Sequence, residues 1–460
     1  MAAPCPLTDP DRGAPGPRGA CPSVRRPLPA GDGLLARLRV AGRALTPADL
    51  RALAAAAARH GSGVVEVTSR ANVQVRGLKQ GAVAGLVDDL AAAGLVPAEP
   101  DGEVQADVVV APAAGFDPTE VADVRPAAAA LREALTVAAL HGHPLHPKAG
   151  VVLDGGGALT ARGLAADLAF GAARRPAGDV AFEVALGTGL ALDRPATGGA
   201  LVPVVTAARV AALAARLLVL AATDGPTPAR VRDLVAAHGR HAVLGEVADL
   251  VEWADPAGLE RATPAPGPTL GVLAGRDEHV LVGALPPLGR LDAGGLDELA
   301  AALEAHGAGW FVLTRQRGLL VPGMPIGPAD GLAEALARLG FVVDATDPAA
   351  GVVACAGRPG CTAAHADTKA DGHRVAEHLR AAGAGPHPTV HVSGCAKRCA
   401  SRRPHDVTLV AGPDGYDLFL RAGSDGDTDD TGGGERLVAG GLALGAALDR
   451  AAGATGEASG

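Results

Sequence analysis

Aromatic side chains are almost missing from this chain. Of its 460 residues only six are Phe, two Trp and one Tyr, so Val, Leu and Ala must fill the cores, although apolar residues reach 48%. Lysine is nearly as scarce: Lys79, Lys148, Lys369 and Lys397 are the only ones, every other basic residue being Arg. Asn72 is the only asparagine. A GC-rich coding bias explains such scarcity in bulk, and under it a surviving lysine marks a place where a compact ammonium is needed.

Six cysteines, four of them between 355 and 399, are too few and too clustered for a secreted disulfide framework. No apolar run follows Arg12 or Arg18, so the first twenty residues read as a flexible leader and not as a secretory signal. Residues 201–222 are the best membrane candidate, but Arg209 and Arg216 interrupt them and predict a buried or amphipathic helix. A net charge of −9 speaks against a general nucleic-acid binder while leaving room for a local basic pocket. The expectation is a soluble, cytoplasmic chain of roughly two to four domains with no nucleic-acid or membrane partner.

What is present is a repeat. A strand-like run at 34–39 leads to Thr46-Pro47, a good N-cap and N1 pair for a helix over 48–60, then a strand at 64–68 and a helix at 82–93. The order recurs as a strand at 280–285, a helix capped by Asp292 and running to 306, a strand at 310–313 and a helix at 329–339. Each copy, about 65 residues long, is too short to be stable alone, so the two are expected to pair.

The sequel also recurs. Strands at 106–110 and 351–354 precede helices over 126–141 and up to 382, then a Pro-bearing turn, a strand at 151–153 or 407–410, and an Asp154-Gly155 or Asp414-Gly415 turn. In this alignment Ala111 and the Pro147-Lys148 turn stand where the second copy holds Cys355 and the Cys395/Cys399 pair. Residues 201–265 read as a helical linker. The acidic, Gly-rich run from Ser424 to Gly434 reads as a solvated loop.

The cysteines carry the strongest chemical signal. Cys355-x5-Cys361 fits the short knuckles of a zinc site poorly, and two inert buried pairs are the bland reading. Four thiolates in two pairs suit a [4Fe–4S] cubane, in which each iron needs one sulfur ligand. If a helix continues through the second pair, Cys395 and Cys399 share a face at i and i+4. Cys5 and Cys21 read as bystanders.

Cys355-Ala356-Gly357-Arg358-Pro359-Gly360-Cys361 and Ser393-Gly394-Cys395-Ala396-Lys397-Arg398-Cys399 resemble the nitrite/sulfite reductase superfamily. Thr68-Ser69-Arg70-Ala71-Asn72-Val73-Gln74-Val75-Arg76 is similar to that family's tetrapyrrole-binding strand. Gly115-Phe116-Asp117-Pro118, Asp123-Val124-Arg125-Pro126 and the Pro147-Lys148 turn extend the likeness over roughly residues 20–420. Within the superfamily, Cys21-Pro22-Ser23-Val24-Arg25-Arg26-Pro27 with Gly31-Asp32-Gly33-Leu34 resembles an oxygenase branch of aerobic corrin biosynthesis, as does Ser-Gly-Cys-Ala-Lys at 393–397. One departure is Ala400-Ser401-Arg402-Arg403, where that branch leads one to expect Ala-His-Pro.

The resemblance implies an internally duplicated α+β fold: a leader at 1–19, ferredoxin-like half domains at 20–100 and 266–345 paired in one domain, and α/β domains at 101–200 and 346–450. It implies O2-dependent hydroxylation of precorrin-3A at C20 with lactone formation. Electrons would come from an NAD(P)H-dependent reductase or a ferredoxin, through a cluster on Cys355, Cys361, Cys395 and Cys399. A mononuclear non-haem iron is implied as well; His365, Asp367, His373, His391 and His405 lie near the cysteines, and none is singled out.

A precorrin carries many carboxylates, so its site needs convergent cations, preferably bidentate Arg. Arg70, Gln74 and Arg76 share strand parity and are expected on one face. With Asn72, Arg125, Lys148, Arg315, Arg317 and Lys397 they complete the expected substrate ring, Lys148 and Arg70 being the catalytic cations. The alternative implied by the family is a ferredoxin-dependent sirohaem nitrite or sulfite reductase, with Cys399 bridging to haem iron. Pro147-Lys148-Ala149-Gly150 lacks the second lysine those reductases commonly carry.

Overall fold

The computed structural model describes residues 22–98, 106–187, 201–261, 263, 269–383, 387–401, 403–421 and 434–457. The leader, Cys5, Cys21 and nearly all of the acidic run from 424 lie outside them.

The first half unit comprises β1 (Leu28–Ala30), β2 (Gly33–Leu38), α1 (Pro47–His60), β3 (Val65–Val67), β4 (Val73–Leu78) and α2 (Val83–Ala92). Thr46 and Asp49 close a capping box that starts α1, as the Thr-Pro pair leads one to expect. The second half unit repeats the order with β11 (Gly271–Ala274), β12 (Val280–Ala284), β13 (Arg290–Leu291), α7 (Ala293–Ala305), β14 (Val312–Leu313), β15 (Leu319–Met324) and α8 (Ile326–Arg338). Asp292 caps α7 through the Gly295 amide.

The halves pair through two matching contacts. Val65 opposes Leu291 across β3 and β13, and Leu45 forms an antiparallel bridge with Phe311. The same sequence spacing separates Leu45 from Leu291 and Val65 from Phe311, so each copy lends the other the equivalent residue. One core runs through both, with Leu53, Ala57 and Leu86 packed in the same cluster as Leu299, Leu303 and Leu332. Neither half buries enough apolar surface alone, and this shared core is why they appear together.

The α/β part of the first copy holds β5 (Asp107–Val110), α3 (Arg125–Leu140), β6 (Gly150–Asp154), β7 (Leu168–Arg174), β8 (Val180–Leu186), β9 (Val202–Val205), α4 (Val210–Thr223), α5 (Val231–His238), α6 (Arg240–Gly245) and β10 (Glu252–Ala254). Its sheet runs β10-β9-β8-β7-β6-β5. The second has β16 (Val352–Ala354), α9 (Thr368–Ala381), β17 (Val390–Ser393), β18 (Val407–Gly412), β19 (Gly415–Arg421), β20 (Glu435–Leu442) and α10 (Leu444–Glu457), in the order β16-β17-β18-β19-β20.

This topology corrects the sequence alignment of the sequels. Parallel pairing runs β5-β6-β7 in one copy and β16-β17-β18 in the other, each closed by an antiparallel neighbour. The partner of 407–412 is therefore 168–174, not 151–153. The loop matching Cys395 and Cys399 is the one after Asp154, while Lys148 precedes β6 at the opposite end. The slip arose because β6 and β7 are both short, buried and Val/Ala-rich, and nothing periodic marks the Gly-rich loop between them.

Residues 201–265 are also more than a helical linker. They add β9 and β10 to the first sheet, and Leu213 and Leu217 of α4 are fully buried in a core with Leu131 and Leu135 of α3. No helix among the described residues is long and apolar enough to cross a membrane.

Candidate functional site

The cysteines lie beyond the carboxyl ends of parallel strands, where open α/β sheets leave a crevice. Cys355 follows β16 directly, and its amide donates to Val392 O at 3.2 Å. Beyond β17 the Gly394 amide donates to Cys355 Sγ at 3.2 Å, with the Thr368 hydroxyl 3.5 Å from the same sulfur. Arg358 Nε donates to Ala364 O at 2.6 Å and ties the loop that carries Cys361.

The expected helix through Cys395 and Cys399 is absent. Arg398 lies at φ 48°, so the pair is carried on turns, and Ser393 Oγ holds the Cys395 carbonyl at 2.8 Å. All four thiols are free; three are half-buried and Cys399 is exposed. Burial and the other three thiols push Cys399 above its ordinary value, with Lys397 opposing.

This donor set fits a cubane. Four uncommitted thiols lie within electrostatic reach of one another, and one already accepts an N–H bond, a feature that tunes cluster sulfurs. A single ion is different: among the described residues no three His, Cys, Asp or Glu side chains, the four cysteines included, stand close enough to share one, whereas a cubane spreads its four ligands over four irons. The His391 and His405 rings lie 5.4 Å apart, tilted by 46°, and His391 Nε2 and both His405 ring nitrogens are buried without partners. Burial, then the His405 neighbour, pushes His391 down to about 4. His373 is exposed, and Asp367 is used in capping α9.

A cation stands beside three of the cysteines. Lys369 Nζ donates to Ala354 O at 3.2 Å and Arg290 Nη2 to Ala356 O at 3.4 Å, on either side of Cys355. Arg76 Nη2 donates to Gly360 O, before Cys361, and Arg317 Nη2 to Ala400 O, after Cys399, both at 2.5 Å. Glu66 sits among them, 2.7 Å from Arg290, 3.4 Å from Arg76 and 3.9 Å from Lys369. Burial alone would raise Glu66, but these cations hold it below its ordinary value; burial brings Lys369 down to about 8. Asp32 adds a second carboxylate on Arg76, at 2.9 Å.

A second set of cations converges on the loop at 162–165. Arg315 Nη1 donates to Arg162 O at 2.6 Å, Arg403 Nη2 to Gly163 O at 2.9 Å and Arg70 Nη2 to Ala165 O at 3.3 Å. Burial, then the Arg403 charge, lowers Arg315. Arg315 and Arg317 share one turn, so this crescent continues into the cysteine loops.

The structure sorts the expected ring. Gln74 and Arg76 do share a face of β4, but Arg70 precedes the strand in a turn closed by Thr68, with Ala71 at φ 56°, so alternation does not reach it. Asn72 is fully buried; its Oδ1 accepts from the Val40 and Ala41 amides and its Nδ2 donates to Asp107. Asp107 also meets Arg39 at 3.3 Å and Arg70 at 3.8 Å. Lys148 is exposed beside this group, its amide on His146 Nδ1. Arg125 pairs with Asp123 at 2.7 Å and lies over the Phe116 ring, and Lys397 is exposed near Cys399.

Sequence reasoning passed over Arg39, Glu66, Arg290, Lys369 and Arg403. Lys369 carries a readable signal, since it is one of only four lysines and scarcity marks each of them. Arg403 shows in the sequence only as part of a departure from the family pattern.

Comparisons with known proteins bear on the family and the fold. Residues 26–93 and 274–339 match the nitrite/sulfite reductase ferredoxin-like half domain, and 102–254 match the nitrite and sulphite reductase 4Fe-4S domain. That last match falls on the copy without cysteines. A precorrin-3B synthase of Sinorhizobium sp is 34% identical over 92% of this chain and 87% of its own length. The chloroplastic ferredoxin–nitrite reductase of Zea mays is 29% identical over 85% and 73%. The NirA protein of Mycobacterium tuberculosis shares the fold, with a TM-score of 0.64 at 19% identity over 88% of this chain and 77% of that one.

Proposed function

This chain belongs to the nitrite and sulfite reductase family as a homologue of precorrin-3B synthase, and from that premise we propose that it is a cytoplasmic oxygenase of corrin biosynthesis. Its substrate is precorrin-3A, hydroxylated at C20 with O2 while a ring-A acetate closes a γ-lactone. The observation that carries this reading is the convergence of Arg70, Arg315 and Arg403 on one loop next to the cysteine turns. Arg315 and Arg403 each donate one nitrogen to a carbonyl, and Arg70 divides two between Ala165 O and Asp107; the charges left together suit a polycarboxylate macrocycle.

Within this reading the residues divide their work. Arg70, Arg315, Arg403 and Lys148 bind and orient carboxylates, and Lys397 is exposed near Cys399, while Arg125 is spent on Asp123 and the Phe116 ring and Arg317 on Ala400 O. Asn72 and Arg76 act as positioning residues, since their polar atoms are held by Asp107, Asp32, Glu66 and backbone. Cys355, Cys361, Cys395 and Cys399 hold a [4Fe–4S] cluster, which supplies electrons singly from an NAD(P)H-dependent reductase or a ferredoxin. For a mononuclear iron the described residues offer no three-ligand set.

One observation favours a second reading, a ferredoxin-dependent sirohaem reductase: Cys399 is the exposed cysteine, free to approach a haem iron. Ala149, where those reductases commonly place a second lysine, is 3% exposed, so the proton-donor pair is lacking. Visible spectra and turnover of the purified protein separate the two. A broad iron–sulfur shoulder with O2-dependent conversion of precorrin-3A supports the oxygenase. Sirohaem bands with nitrite or sulfite reduction, and no conversion of precorrin-3A, overturn it.

A further inference from the structure

Cations beside the cysteines do two things at once. Lys369, Arg290, Arg76 and Arg317 each donate to a carbonyl adjacent to a cysteine, and each brings a positive charge into the interior. They come from α9 and from both half units, so chain segments far apart in sequence contribute to one centre. Against these four stand two carboxylates, Glu66 and Asp32, and the balance is a net positive charge. Side-chain exposure is 4% for Arg76, 8% for Lys369 and 10% for Glu66, so solvent screens little of it.

A cluster held by four thiolates is anionic and gains one more negative charge on reduction. Positive charge in a low-dielectric setting stabilises the reduced form more than the oxidised one, which raises the potential. We infer that this buried set tunes the cluster, the cations raising its reduction potential and Glu66 holding that rise in check. The residues are positioning residues that act through the cluster, and the inference rests on the reading that the four cysteines carry one.

Opposite signs test it. Glu66→Gln removes the negative charge while keeping a polar side chain, and Lys369→Met removes a cation from the same contact. Redox titration followed by EPR, with iron and sulfide counted per chain, reads both variants against the parent protein. At a fixed poise the reduced-to-oxidised ratio should rise about tenfold in Glu66→Gln and fall by a similar factor in Lys369→Met, each ~59 mV for a one-electron couple. Where either variant loses its cluster, Arg290→Gln decides, because Arg290 is the more exposed cation and its loss must lower the potential. Unchanged potentials, or shifts of one sign in both variants, overturn the inference and leave the cluster in place. A parent protein without iron and sulfide overturns the cluster reading itself.

Discussion

Arg76 on β4 of the first copy reaches across 284 residues of sequence to donate to Gly360 O, the residue before Cys361. The same guanidinium binds Asp32 through two nitrogens and touches Glu66. It is 3% exposed, so its removal strands Asp32, leaves Glu66 to Arg290 and Lys369, and frees the Cys361 loop. Breaking a buried pair from one side costs about 3–5 kcal/mol. Arg76→Met should therefore lower unfolding stability by that order in chemical denaturation and should reduce iron per chain. Arg76→Lys should recover part of the stability, because one ammonium can reach one carboxylate but not the full set.

Asn72 gives a prediction with a pH signature. Its Oδ1 accepts two backbone amides and its Nδ2 feeds Asp107, all out of solvent. Asn72→Asp keeps the acceptors and places a carboxylate against Asp107. Two carboxylates in one buried site cannot both ionise cheaply, so one binds a proton. The variant should be destabilised at pH 8 and should recover towards the parent as pH falls to 5. A denaturation midpoint gap that does not narrow on acidification contradicts this. Asn72→Leu should be destabilised throughout, at about 1–3 kcal/mol for each buried group left unpaired.

Much of the fold could be read in the sequence where the signal is local. Thr46-Pro47 and Asp292 announce helix starts because capping is decided within four residues of chain. The repeat of half units shows because apolar spacing and turn glycines recur in order. The pairing of cysteines is legible for the same reason. What escaped is non-local: the strand register of the sequels, where β6 and β7 look alike, and the destination of Arg76. An arginine on a strand reads as a substrate cation from parity alone. Only the tertiary contact with Gly360 shows that its charge is spent inside the protein. Arg403 escaped because an exposed Arg after the last cysteine has no local signature.

Glu120 offers a stability test away from the cysteines. Burial raises it to about 7 from its ordinary 4.5, with the Gly115 N–H bond at 2.6 Å opposing. A raised folded-state value means the proton is bound more tightly in the folded chain. Its contribution is full below about 4.5 and is lost as pH rises through 7. Glu120→Gln stays neutral and escapes that loss. The melting temperature of the variant relative to the parent should therefore climb between pH 5 and pH 8; a flat difference would show that Glu120 titrates normally.

The cluster assignment stands or falls on single cysteines. Cys395→Ser should lose iron and all turnover, and full iron content in that variant refutes its place as a ligand. Cys399 is the exposed member of the set, so Cys399→Ser should lose iron too, but with faster decay in air than slow failure to assemble. Iron and sulfide counts after anaerobic purification, followed through exposure to air, separate the two behaviours.

The crescent on the 162–165 loop yields the most direct test of substrate chemistry. Arg70, Arg315 and Arg403 each hold one backbone carbonyl there and bring three positive charges to one loop from three different segments. Hydrogen bonds to charged groups contribute about 1.5–3 kcal/mol each. Arg403→Leu and Arg70→Leu should thus weaken tetrapyrrole binding by roughly 10- to 100-fold while iron per chain stays constant. Lys148→Ala should lower turnover in the same way, since its ammonium is exposed and the preceding Pro147 carbonyl accepts from Arg39, which shares Asp107 with Arg70. Binding should weaken with added salt, and each charge removed should make that dependence shallower. Affinity of the parent protein that ignores ionic strength, or variants that bind as the parent does, would remove the crescent from the site.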